Sequence, residues 1–133
     1  MKIAFATDDK TNIAEHFGGS DFIIVATIEG GRIVNKEVRE KPGHHTFSGK
    51  ESHPQTDERG RHGFGAEAEQ RHMAIFDIFK DCESLIVNMI GTGACKHFTS
   101  SGVRVIATDV KNIDEAIERY IDRRLNHLET HVD

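Results

Sequence analysis

One stretch constrains the fold more than any other: Ser84-Leu85-Ile86-Val87-Asn88-Met89-Ile90-Gly91-Thr92-Gly93-Ala94-Cys95. Its first half is a short apolar run rich in β-branched residues, the pattern of a strand covered on both faces, as parallel strands are. A Gly-Thr-Gly turn follows at once. Ala94, Cys95 and Phe98 then predict a helix packing back on the sheet. Such a strand-turn-helix junction leaves backbone N–H groups unpaired at the helix start, where an anion can sit.

The rest of the chain supplies partners for that strand. Lys2 to Asp8 reads as a first strand, with Ile3, Phe5 and Thr7 on one face and the small Ala4 and Ala6 on the other. Asp9 to Ser20 is a loop carrying Glu15-His16-Phe17-Gly18-Gly19. Phe22 to Ile28 is a second strand, Gly30-Gly31 a hairpin turn, and Arg32 to Glu40 a charged third strand suited to a sheet edge. Phe64 to Lys80 has helical spacing, with Ala68, His72, Ile75, Phe76 and Phe79 on one stripe. Gly102 stops the helix after the glycine turn. Val103 to Ala107 is the last strand. Asn112, with Glu115 three residues on, starts a terminal helix whose buried face runs from Ile113 to Leu128, after which the end frays.

The order β-β-β-α-β-α-β-α predicts a single α/β domain over 1–133. Its mixed five-stranded sheet has three antiparallel strands, then parallel ones, and about three covering helices. Strands one, three, four and five then finish on the same edge. That edge receives the His16 loop, the Gly91 turn and a histidine-rich loop over about 41–63, which holds His44, His45, His53 and His62.

Composition narrows the function. A net charge of −5 argues against a nucleic-acid or anionic-membrane partner. No apolar run approaches the ~20 residues of a membrane span. The chain opens directly into a strand, and its two cysteines fit a reducing cytoplasm. Nine histidines stand beside one tyrosine and no tryptophan, which directs attention to metal binding. A ribonuclease-type Mg²⁺ site needs more converging acids than Asp8 and Asp109. The glycine turn lacks the Gly-Lys-Ser/Thr signature of nucleotide sites.

Four features together resemble the dinitrogenase iron–molybdenum cofactor biosynthesis family. They are the opening strand followed by His16-Phe17-Gly18, Cys82 before an apolar strand, the Gly91-Thr92-Gly93-Ala94 turn, and His62-Gly63 before the long helix. The resemblance covers roughly residues 1 to 125. It implies a ribonuclease-H-like fold and non-catalytic binding or carriage of an iron–sulfur or iron–molybdenum-type cluster, with a cofactor-assembly or acceptor metalloprotein as partner. It makes His16 the first ligand candidate. Two departures stand out: Gly19 follows the His-Phe-Gly where a basic residue is common, and the His44 to His62 loop is long and histidine-rich. The second favours a plain zinc or nickel ion held by His16, His44, His45 or His62.

Other readings stay open. The glycine turn also suits a small-anion or nucleotide-binding module, and the histidines a metal hydrolase. His72, on an apolar stripe, reads as a core histidine. Cys82 and Cys95 lie at opposite ends of one strand, roughly 20 Å apart, too far for a disulfide or one small cluster. Cys82 reads as structural. Cys95 reads as buried, although the helix start would favour its thiolate.

Overall fold

The computed structural model describes residues 1–41 and 66–132, for 66–71 the backbone alone. The strands are β1 (Lys2–Thr7), β2 (Phe22–Glu29), β3 (Arg32–Glu40), β4 (Ser84–Val87) and β5 (Arg104–Ala107). The helices are α1 (Ala66–Phe79), α2 (Thr92–Ser100) and α3 (Ile113–Ile121). The strands form one sheet in the order β3-β2-β1-β4-β5. β1, β2 and β3 pair antiparallel, while β1 with β4 and β4 with β5 pair parallel. This is the mixed α/β sheet the sequence predicts. The expectations over 41–63 concern His44, His45, His53 and His62, which lie outside the described residues, as does the start of the predicted helix at Phe64.

Alternation along β1 divides the core as expected. Ala4 and Ala6 face a cluster with Phe17, Leu85, Val87, Phe79 and Phe98. Ile3 and Phe5 face Ile86, Ile106, Ile113 and Ile117 under α3. The alanines leave room for rings on their face. Phe98 packs edge-on against Phe17 and Phe79, with centroids 5.6 and 5.0 Å away. β3 exposes Ile33, Val34 and Val38, as an uncovered edge strand does. Its hairpin turns on Gly30 and Gly31, both at positive φ, and α2 ends at Gly102 with φ +104°.

The two ends of α3 fare differently. The Asn112 side chain accepts from the Glu115 N–H at 3.0 Å, the predicted N-cap. The helix does not run to Leu128. It ends at Ile121 with Asp122 as C-cap, and Arg123 sits at φ +60°. Nor does the tail fray. Leu128 N–H donates to the Ala107 carbonyl at 2.8 Å, and Ile90 N–H to the His131 carbonyl at 3.1 Å. A single 3-10 turn, Glu129–His131, fits the tail to the sheet's edge. Backbone pairing, which leaves no mark on the sequence, overrides the polar composition of this segment. No described helix is long and apolar enough to cross a membrane.

Candidate functional site

The site grows from β4. After Val87 the chain bends at Asn88, then continues alongside two other segments. Met89 forms a parallel bridge with His16, and Phe17 N–H donates to the Met89 carbonyl at 2.8 Å. On the other side Ile90 bridges Val132. The loop after β1 and the turn after β4 therefore meet where strand order reverses, between β1 and β4. Open α/β sheets bind ligands at such a point. His16 is exposed and Phe17 is buried against Phe98, so the ring anchors the loop and leaves the imidazole outside.

The glycines divide into two classes. Gly30, Gly31 and Gly102 need their positive φ. Gly18, Gly19 and Gly91 do not, and a Cβ on any of them would meet nothing within 4 Å. At these three positions the missing side chain leaves open space beside the backbone. Gly91 is the N-cap of α2, with extended φ and ψ of −73° and 151°, no side-chain cap, and no acid in the first turn. The first N–H groups of Thr92, Gly93 and Ala94 thus open a helix with no anionic side chain to complete them, an arrangement that favours an anion. Cys95 N–H is already used, donating to the Gly91 carbonyl at 3.0 Å.

Cys95 is half-buried, in keeping with the burial expected of it over a thiolate. That burial pushes the Cys95 thiol up. Cys82 lies at the opposite end of β4, buried, its thiol pushed up to about 12 by desolvation, with Asp81 nearby. Both are free. His72 is nearly buried, as its stripe predicts, with its ring 5.7 Å from that of His97.

Several site residues were not visible in the sequence. Lys41, at the end of β3, is 1% exposed. Its Nζ donates to the Phe17 carbonyl at 2.6 Å and to Ser20 Oγ at 3.1 Å, and lies 4.3 Å from the Phe17 ring centroid. Desolvation pulls its pKa down to about 8, against the pull of Asp8 and Asp21. A cation therefore reaches the His-Phe-Gly loop from beneath, although Gly19 replaces the expected one in sequence. Asn88 is buried. Its Nδ2 donates to the Thr108 and Val110 carbonyls at 2.7 and 2.9 Å, tying β4 to the turn after β5, while its Oδ1 has no partner among the described residues. The tail adds two histidines. His127 Nδ1 accepts from Ala107 N–H at 3.0 Å. His131 Nδ1 lies 2.9 Å from the Asn88 carbonyl oxygen. Only the nine-histidine count hinted at them. Among the described residues no three of His, Cys, Asp and Glu gather as a metal-binding group.

The chain is similar to the uncharacterized protein MJ0580 of Methanocaldococcus jannaschii, 28% identical over 129 residues, 97% of this chain and 92% of that protein. Its fold is that of PH0822, whose crystal structure is 25% identical with a TM-score of 0.66 over 97% of both chains. The fold is shared with a candidate dinitrogenase of M. jannaschii, MJ0327 (14% identity, TM-score 0.62, 97% and 95% covered). It is shared also with a candidate NifB protein from Thermotoga, TM1290 (22% identity, TM-score 0.58, 96% and 92% covered). Residues 1–123 match the family model described as dinitrogenase iron-molybdenum cofactor, and the chain belongs to that family.

Proposed function

We propose that the protein binds and carries an anionic iron–sulfur or molybdenum-containing cluster at the carboxyl end of β4, as a non-catalytic accessory in metallocofactor assembly. The observation that carries this reading is the bridge between His16 and Met89. It sets an exposed imidazole beside the uncapped start of α2. His16 supplies a metal-ligating nitrogen, and the N–H groups of Thr92, Gly93 and Ala94 face the negative charge of the sulfide-rich shell. Gly18 and Gly91 put no side chain in the way of the cargo, and Phe17 holds the loop down. The donor set fits a pre-assembled cargo held by few side chains and many backbone dipoles rather than a four-cysteine centre. His44, His45 and His62, outside the described residues, are proposed as further metal ligands. Family membership and the fold shared with a candidate NifB protein support a role in cofactor assembly, with an acceptor metalloprotein as partner.

The strand order, with β1 to β3 antiparallel and β4 and β5 parallel to β1, supports a ribonuclease-H-like classification. One continuous sheet supports a single domain over 1–133. Two free thiols fit a reducing cytoplasm. The test is anaerobic reconstitution with iron, sulfide and molybdate, followed by absorbance and metal analysis. His16→Ala is expected to keep its fold and lose most of the bound metal. Unchanged uptake would reject His16 as a ligand and the reading with it.

A further inference from the structure

The tail carries two imidazoles in opposite chemical states. A neutral imidazole has one N–H donor and one bare acceptor nitrogen. His127 Nδ1 receives the Ala107 N–H, so Nδ1 is the bare nitrogen and Nε2 carries the proton. His131 is the reverse. The Asn88 carbonyl oxygen can only accept, so the 2.9 Å contact is a bond donated by Nδ1–H, and Nε2 keeps its lone pair. Metal-binding histidines show this arrangement: a backbone carbonyl or carboxylate takes the proton of one nitrogen, fixing the ring and raising the basicity of the other.

The position matches the chemistry. Ile90 bridges Val132 in parallel, which puts His131 level with Met89 on one side of the β4 extension, while His16 bridges Met89 on the other. Neighbouring strands lie about 4.8 Å apart, so the two histidine backbones stand roughly 10 Å apart across Met89. An imidazole places Nε2 about 4.5 Å from its Cα and a metal–nitrogen bond adds about 2 Å, so two such arms span up to about 13 Å. His131 is half-buried and held by its own backbone as well, through the Ile90 N–H. An ordering tail that presents a pre-set nitrogen at this level is a ligand support.

We infer that His131 is a second imidazole donor at the glycine bend, facing His16 across Met89, for a divalent first-row transition metal. The metal is either a bare ion or an iron at the vertex of a metal–sulfur cluster. The inference rests on the reading of this rim as the cargo site, and adds to it the C-terminal strap.

The test uses the full chain, with cobalt(II) as the bare-ion probe. In the metal-free protein, ¹⁵N NMR of the imidazoles should show His131 protonated at Nδ1 and His127 at Nε2. A proton on His131 Nε2 would overturn the inference before any metal is added. His131→Asn is the decisive variant, because the Asn amide replaces Nδ1–H toward the Asn88 carbonyl and removes only the Nε2 lone pair. Cobalt affinity, read from visible d–d absorption, should fall by more than about a hundredfold, beyond what loss of an outer-shell partner commonly costs. His127→Asn, which keeps an acceptor for Ala107 N–H, should leave affinity unchanged. An equal loss there would overturn the assignment, since any change to the strap would then suffice. Loss with His16→Ala but none with His131→Asn would reject His131 and leave the cargo site standing. Loss with neither would reject both. Repeating the pair with ferrous iron and sulfide assigns the cargo: a loss with cobalt alone indicates a bare ion, and a loss in both a cluster vertex.

Discussion

The two ends of β4 are built from different chemistry. The turn that enters the strand is ionic. Asp81 pairs with Lys2 at 3.1 Å and with Arg39 at 2.9 Å, and Arg39 also pairs with Glu37 at 2.9 Å. Next to it the Tyr120 hydroxyl donates to Glu83 at 2.6 Å and bonds Ser84 Oγ at 2.8 Å. The turn that leaves the strand, Asn88 to Gly93, is held by backbone and amide bonds and by the His131 ring on the Asn88 carbonyl, with no ion pair among the described residues. An ionic corner satisfies its own charges and offers little to a ligand. A neutral corner with an uncapped helix start has capacity left over. Cys82 falls at the first end, buried, whereas His16 falls at the second, exposed.

Exchanges at the two corners sharpen this contrast. The largest effect belongs to Asn88→Ala, which strips the Thr108 and Val110 carbonyls of a shared buried donor. At roughly 1–3 kcal/mol for each group left unpaired, the loss should be about 3 kcal/mol, read as a lower urea midpoint at constant slope. Lys41→Met keeps the buried stem but abandons the Phe17 carbonyl and Ser20 Oγ. It should cost about 2 kcal/mol and weaken cargo uptake by releasing the His16 loop. It also has a pH signature. The native pKa of Lys41 is pulled from 10.5 down to about 8, so between those values the unfolded chain holds more protons. Wild-type stability should rise through that window relative to the methionine variant; a parallel pair of curves would contradict the buried cation.

At the ionic corner the effects are smaller. Asp81→Asn should cost less than about 1 kcal/mol, because the Asp81 carboxylate is nearly half exposed, and 1 M salt should shrink the difference. The bonds from Arg39 hold the Asp81 carboxyl well below the usual carboxylate range. Its contribution is thus present above about pH 4 and fades as pH falls toward its native pKa, so the variant and the wild type should converge in acid. Smallest of all is the chemistry of Cys82. With its thiol pushed up to about 12, it should resist iodoacetamide in the folded protein at pH 8, and Cys82→Ala should leave metal uptake unchanged.

What could be read from the sequence followed from periodicity and direction. Two-residue alternation set the faces of β1, and Asn112 with Glu115 marked the start of α3. Strand direction alone predicted that the His16 loop and the Gly91 turn would share an edge, and the bridge from His16 to Met89 bears that out. The missed features lack any such periodic mark. Lys41 looks like a surface lysine, and only the folded chain reveals that its amine ends beneath Phe17. Asn88 reads as a polar interruption at the end of a strand, because its two acceptors lie about twenty residues away. The tail from Leu125 to Val132 has no apolar period, and α3 stops before it at a non-glycine residue in the left-handed region, so nothing local signals where it docks.

The contrast between the corners is tested most directly by backbone amide NMR while tetrathiomolybdate, a diamagnetic molybdenum–sulfur dianion, is added to the metal-free protein. The amides of His16, Phe17, Thr92, Gly93 and Ala94 should shift together with one saturation curve, while those of Asp81, Cys82 and Glu83 stay in place. Shifts confined to the Asp81 corner, or an unmoved helix start at saturating dianion, would contradict a cargo site at the end of β4.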